Sequence, residues 1–539
     1  MDSIQHHCPS LSADLVAAKD TEADLALFRG IPYATVSKRW TQSQIQDSIT
    51  SPFDATKFGP RCPQPPHVSL ITATAKVPDL EEDEFACLNL NISVPLDALP
   101  KPMIGNSKSL LPVMVWIHGG AFKNGSASDP RFYPSALSTL ASSHNHPVII
   151  VQVSYRLGVF GFAASSDLLS EQTSTSPSPS EDFANFGLND QRTAFQWIQS
   201  HIQDFGGDPN NVTAFGVSAG SASLHMHILS GQPLFDRAVL MSGCAPTMGP
   251  FPLPLLDKSW SKLCQKSGAD TLETSQQRLE KLRLLTPEEA IANNGLSTTL
   301  APLADGSYLP ASWKLGDAHP PARCKEMIIG NTLVEAIIFD ILAKLLPQPV
   351  FHSKLLAAFP NPEDSTRFIE LFGFDFSEGK QMDPEAYRDA LRRFLSAVIF
   401  HYPSLIVAES FSSIPSQTKS YLYRFSTPSP FPGPSYGLSA HGQCAIFLFN
   451  NDSGSWPSEC RVISKEMART WTAFAHGEKP WEEFVSGDEG KVMSFGNGVF
   501  GARGLDEGED EGWGREDGTT GWLRAHFNEA LMFVLGLIG

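Results

Sequence analysis

Six short runs of this chain carry consecutive apolar residues instead of one at every second position. They are PVMVWIHGG (112–120), HPVIIVQVSYR (146–156), NVTAFGVS (211–218), RAVLMSG (237–243), EMIIGN (326–331) and SYLYRFS (420–426). A strand with one wet face alternates. A strand that is apolar on both sides belongs to a sheet covered on both faces, the habit of parallel sheets. Helical patterns stand between the runs. In LNDQRTAFQWIQSHIQDFGG (188–207), Phe195, Ile198 and Ile202 recur at i, i+3 and i+7 before a Gly-Gly stop. The alternation predicts an α/β fold with a central, mostly parallel sheet flanked by helices.

Composition narrows what such a fold can serve. With 42% hydrophobic and 18% charged residues, a chain of 539 can fill a large core without disulfides or metal. A net charge of -18 disfavours nucleic acid, whose phosphates it would repel. The start, MDSIQHHCPSLSADLVAAKD, lacks the basic and apolar parts of a secretory leader, which sets a cytoplasmic expectation. No run reaches the roughly 18 apolar residues of a membrane span, so no membrane partner is expected. The closing ALMFVLGLIG (530–539) reads as the packed end of a helix. Residues 1–25, with His6, His7 and Cys8, read as a mobile segment ahead of a single domain over 26–539. EQTSTSPSPSED (171–182) and GLDEGEDEGWGREDGTTG (504–521) read as surface insertions, the first disordered and the second a solvated acidic loop. The cysteines are scattered, with no C-x-x-C pair, which excludes a compact zinc site by spacing.

The chemistry begins at GVSAG (216–220), a G-x-S-x-G at the end of an apolar run. At a strand-to-helix bend, such a sequence lifts the Ser218 hydroxyl above the sheet. A serine hydroxyl is a weak nucleophile that needs a base, a group to orient the base, and donors for the oxyanion formed in acyl transfer. WIHGGAF (116–122) follows another strand and resembles the HGGG-type loop of lipases and esterases. On that motif Gly120 and Ala121 supply two N–H donors, and Ala219, just after the serine, a third.

Ten ordered blocks extend the likeness. They are FRGIPYA (28–34), GPRCPQ (59–64), CLNLNISVP (87–95), WIHGGAF, VSYRLGVFGF (153–162), NFGLNDQRTAFQWI (185–198), FGGDPNNVTAFGVSAGS (205–221), FDRAVLMSG (235–243), ADGSYLP (304–310) and WTAFAHGEKP (471–480). Together they resemble the type-B carboxylesterases, the α/β-hydrolase family that includes the cholinesterases. The resemblance implies a Ser-Glu-His triad in that order. The acid falls at Glu335 in IIGNTLVEAIIF (328–339), where Ala336 stands in place of the family's usual glycine. The base falls at His441 in GLSAHGQCAIFLFNN (437–451), with Cys444 where a glutamate is common. His225, His227 and His401 are rival histidines, the first two too close to Ser218 in sequence for the usual geometry.

The same mapping implies supports. Arg156 and Asp190 would form a buried ion pair, Ser242 would lie behind the histidine, and Cys62 and Cys87 would be neighbours, their oxidation left open. The expected activity is hydrolysis of a small-molecule carboxylic ester or lactone through an acyl-enzyme, with no cofactor or metal. Acyl transfer or lactone chemistry with the same triad, and an inactive adhesion or scaffold relative, are the alternatives. The oligomeric state is left open. Val217 replaces the glutamate often found before the nucleophile, and the 63–86 loop has no tryptophan, so a neutral, fairly apolar ester is expected, not a choline ester. DLEEDE (79–84) in that loop reads as a solvated charge run.

Overall fold

All six apolar runs become strands of one sheet. In a computed structural model of the chain, the described residues are 2–66, 79–100, 109–175, 183–295, 300–377, 381–414, 418–451, 453–485, 491–496, 499–504 and 518–538. The strands preceding the runs are β1 (Ser3–Cys8), β2 (Ala13–Asp20), β3 (Leu25–Pro32), the short pair β4 (Ala34–Thr35) and β5 (Gln44–Ile45), β6 (Phe53–Ala55) and β7 (Asn89–Pro95). The runs themselves form β8 (Leu111–Ile117), β9 (Ile149–Val153), β10 (Gly207–Val217), β11 (Arg237–Met241), β12 (Glu326–Thr332) and β13 (Lys419–Phe425). They are followed by β14 (Lys491–Gly496) and β15 (Val499–Gly504).

Among the described residues the sheet runs β1-β2-β3-β7-β9-β8-β10-β11-β12-β13-β14-β15, with β6 beside β2. From β9 to β14 every neighbouring pair is parallel. Antiparallel pairs flank that block. The apolar runs thus occupy the centre, where both faces are covered. One face packs the helix Phe186–His201 and the wholly buried helix Ala219–Leu229, the other Gln443–Phe449 and Ser458–Ala475.

The N-terminal expectation needs correction. Residues 3–8 and 13–20 are strands of the sheet, not a mobile segment, paired from Ser3↔Ala18 to Cys8↔Ala13. Asp204 fastens the end of β1: it accepts from His6 Nε2 at its carbonyl (2.9 Å), and from Cys8 Sγ (3.3 Å) and Ser10 N–H (2.8 Å) at its carboxylate. The first insertion begins as helix, Ser166–Thr175, whose Glu171 pairs with both guanidinium Nη atoms of Arg283 at 2.7 Å. Residues 176–182 and 505–517 lie outside the described residues. The final run is the packed helix Thr519–Ile538, with Phe527, Ala530, Phe533 and Val534 buried.

That helix joins Gln348–Ala358, Pro362–Phe372 and Pro384–Ser396 around an aromatic cluster containing Phe351, Phe368, Phe394, Trp522 and Phe533. Helical winding continues from Pro384 to Ser412, a stretch of 29 residues long and apolar enough to cross a membrane. No such span was expected from the sequence, because Ser396, His401, Pro403 and Ser404 break the apolar run between Arg393 and Glu409; 83% of its apolar window is buried inside the protein.

Candidate functional site

The turn at Ser218 follows from how tightly β10 meets its helix. Ser218 has φ 57° and ψ −124°, and its N–H donates to the Met241 carbonyl at 2.8 Å. The helix begins so close to the end of β8 that a Cβ on Gly220 would lie 2.0 Å from the Ile117 carbonyl oxygen. Only glycine permits that approach, which is what the G-x-S-x-G spacing encodes.

The loop after β8 closes over the same turn. A Cβ on Gly119 would stand 3.0 Å from Ser218 Cβ and 3.3 Å from a γ-carbon of Val217. Gly120, Ala121 and Phe122 are all left-handed, at φ 113°, 54° and 59°. A side chain on Gly120 would strike the Asn124 carbonyl at 1.9 Å. His118 stiffens the loop: its Nδ1 contacts the Gly119 carbonyl (2.8 Å), its ring stacks on Tyr155 (4.4 Å), and the Tyr155 hydroxyl donates to its carbonyl (2.8 Å). Burial pulls the His118 pKa down to about 4, so the ring is neutral.

Glu335 and His441 meet directly. His441 Nδ1 is 2.5 Å from Glu335 Oε2. The other carboxylate oxygen accepts from the Thr332 N–H at 2.6 Å, and Glu335 has no exposed surface. Their turns are joined by Val334 N–H donating to the Ser439 carbonyl at 2.8 Å. The Phe400 ring lies 4.9 Å from the His441 ring. Among the described residues, the Ser218 hydroxyl makes no direct hydrogen bond to His441. A link between them runs through the end of β11. Met241 receives the Ser218 N–H, and the next residue, Ser242, has its Oγ 3.9 Å from Cys444 Sγ, three residues beyond His441.

The supports fall as the mapping implied. Arg156 and Asp190 form a buried bidentate pair at 2.8 Å for both contacts. Cys62 and Cys87 are both buried free thiols, and the neighbouring Cys62 together with burial holds the Cys87 pKa well above its ordinary value. Cys444 is a buried thiol receiving the Tyr423 hydroxyl at 3.7 Å, and burial pushes its pKa up to about 12. Of the rival histidines, His225 Nδ1 accepts from the Ala245 N–H (3.2 Å), and His227 lies between Tyr308 (2.6 Å) and Gln191 (3.0 Å). Burial lowers both to about 3. His401 donates to the Thr332 carbonyl at 3.0 Å. Thr332, Ser396 and Phe400, all touching the Glu335–His441 region, carried no recognisable signal in the sequence.

DLEEDE is solvated only in part: Asp79, Glu81 and Glu82 are exposed, but Asp83 and Glu84 are not. Glu84 is buried against Arg39 (2.6 Å), Glu82 pairs with Arg61 (2.9 Å), and the Asp83 carboxylate accepts the N–H groups of Phe85 and Ala86. Beside the loop after β8, whose Phe122 carbonyl receives the Gly158 N–H at 2.6 Å, lies a cavity of about 230 Å³. Its walls include Pro63, Val159, Phe160, Ile291 and Leu300, with Lys123 among them.

A family model described as the carboxylesterase family matches residues 14–499. The chain belongs to the carboxylesterase family. It is a carboxylic-ester hydrolase acting on small-molecule esters. This carboxylesterase is 29% identical to the mouse (Mus musculus) pyrethroid hydrolase Ces2a, over 88% of its own length and 84% of the relative's. It is 28% identical to mouse cholinesterase, over 83% and 74% of the two chains. It is 26% identical to the para-nitrobenzyl esterase of Bacillus subtilis (strain 168), over 86% and 89%. Among solved structures it resembles a thermophilic PNB esterase, with a TM-score of 0.71 at 22% identity, covering 94% of this chain and 98% of that one. That likeness bears on the fold, and the mostly parallel sheet of this carboxylesterase is the α/β-hydrolase sheet.

Proposed function

We propose that Ser218 is the nucleophile, His441 its general base and Glu335 the group that orients the base. The observation that carries this reading is the 2.5 Å contact between His441 Nδ1 and the buried Glu335 carboxylate, on a site whose serine stands in a strained strand-to-helix turn. An Nδ1–H held by a carboxylate leaves Nε2 as the acceptor that a serine proton requires. His441 takes the proton as Ser218 attacks the ester carbonyl. The N–H groups of Gly120, Ala121 and Ala219 receive the oxyanion, His441 protonates the leaving alcohol, and water then hydrolyses the acyl-enzyme.

The substrate is a neutral, fairly apolar carboxylic ester or lactone. Val217 brings no charge to the turn, Glu84, Glu82 and Asp83 of the acidic run are engaged by Arg39, Arg61 and backbone donors, and the neighbouring cavity has mostly apolar walls. Fluorophosphonate labelling tests the nucleophile: Ser218→Ala should abolish both labelling and turnover, and retention of more than a few per cent of activity would refute the assignment. For the substrate, a choline ester is compared with its uncharged dimethylbutyl isostere. A clearly higher kcat/KM for the choline ester would sink the neutral reading.

A further inference from the structure

His401 fails as a rival base because its Nε2 is committed to a backbone carbonyl, yet that carbonyl belongs to Thr332, whose N–H holds Glu335. Burial and the nearby Arg424 keep the His401 pKa well below the usual histidine range, so the ring is neutral and donates through Nε2–H. Arg424 Nη1 reaches the same carbonyl at 3.3 Å and also bonds Asn331 Oδ1. Residue 332 is therefore clamped on one side by two donors, while its other side presents an N–H to the acid.

The element that supplies His401 is unusual. Between the helices Pro384–Ser396 and Tyr402–Ser412, residues Ala397–His401 are wound as a π-helix, with Tyr402 N–H donating to the Ala397 carbonyl. At 3.6 residues per turn, His401 would stand about 140° round the helix from Ser396. A turn that closes on the fifth residue brings the two to one side. On that side Ser396 Oγ accepts the N–H of Ala336, the residue after the acid, at 3.0 Å. Phe400, between them in the wide turn, lies against the His441 ring at 4.9 Å, and its carbonyl accepts from Asn331 Nδ2 at 3.3 Å. One turn thus touches residues 331, 332, 336 and 441.

We propose that the π turn Ala397–His401 is a positioning element for the acid–base pair, with His401 the residue that fixes Thr332 and, through it, the Glu335 carboxylate. This rests on the assignment of Ser218, Glu335 and His441 above. None of its residues need touch the ester, so its signature is a change in kcat without one in KM.

The test compares His401→Leu with His401→Gln, whose amide can donate to the Thr332 carbonyl, each normalised to active sites counted with a fluorophosphonate. A misplacement of about 1 Å costs roughly 100-fold in rate, so His401→Leu should lose between about 10- and 100-fold in kcat with KM within about two-fold. His401→Gln should recover most of the loss. Unchanged kcat in the Leu variant, or equal losses in both, would overturn the proposal. If the Leu variant does not fold, Ser396→Ala gives the same reading: a fall in kcat at constant KM supports the proposal, and wild-type kcat overturns it. Ser218→Ala is the separate control. Activity surviving in that variant refutes the triad assignment, whereas a dead Ser218→Ala beside a fully active His401→Leu refutes only the role of the π turn.

Discussion

His441 Nδ1 and Glu335 Oε2 are 2.5 Å apart, and Glu335 has no exposed surface. Glu335→Gln keeps the size of the side chain but turns an N–H₂ or a weaker acceptor towards a nitrogen that needs a carboxylate. The imidazole is then held in the wrong tautomer, and kcat should fall by roughly 10³–10⁴-fold. Steady-state kinetics on a chromogenic ester, with the Tm near that of the parent chain, checks this.

Gly120→Ala should separate oxyanion binding from folding. Its φ of 113° and the 1.9 Å approach of the Asn124 carbonyl leave no place for a Cβ, so the turn must reshape. Loss of one oxyanion donor costs roughly 10²–10³ in kcat. Turnover should fall by that order, with the far-UV circular dichroism of the sheet unchanged.

The Arg156–Asp190 pair ties the segment after β9 to the helix Phe186–His201, with both charges buried. Asp190→Asn leaves a buried guanidinium without its counter-charge and should cost about 3–5 kcal/mol of stability. Urea unfolding of the single variant against Asp190→Leu with Arg156→Met measures this. The double variant should lose less than the sum of the single changes.

Acid should unfold the protein through its buried histidines. The pKa values of His118, at about 4, and of His225 and His227, at about 3, lie below the ordinary value of 6.5. The unfolded chain therefore binds more protons below pH 6.5, and stability is lost as pH falls from there towards the folded values. Each such group contributes up to about 1.4 kcal/mol per pH unit in that window. Denaturation midpoints between pH 7.5 and 4.5 should show the decline, and His227→Gln should reduce its slope by about one proton.

Cys62 lies near enough to Cys87 to raise its pKa, while the other described cysteines are buried elsewhere. Mild oxidation should join this pair selectively, as non-reduced peptide mapping would show. Closing the loop between them should add roughly 3 kcal/mol of stability.

What could be read from the sequence was local or shape-forced. The central strands were legible because a strand covered on both faces must be apolar throughout, and the Ser218 turn because Gly220 lies against Ile117. Glu335 came from the resemblance alone, despite Ala336, whose methyl group is buried beside the aromatic cluster; its contact with His441 is what the structure adds. The misread segments depended on distant partners. β1 looked mobile because Asp204, which fastens it, lies far along the chain. Within the partly solvated run at 79–84, Glu84 looked exposed because nothing nearby announces Arg39 as its partner. The contacts of Ser396 and His401 were invisible for a further reason: they need a five-residue turn that a 3.6-residue periodicity cannot suggest.

Glu335 and His441, the proposed acid and base, are 106 residues apart in sequence, and three helices of the aromatic cluster occupy much of the interval. Each partner's own turn can form locally, but their contact closes a long loop whose entropy must be overcome before the contact repays it. Competence is therefore a late property of the folding chain. On dilution from denaturant, helical signal should return first and esterase activity last, because the 2.5 Å contact awaits docking of everything between its ends.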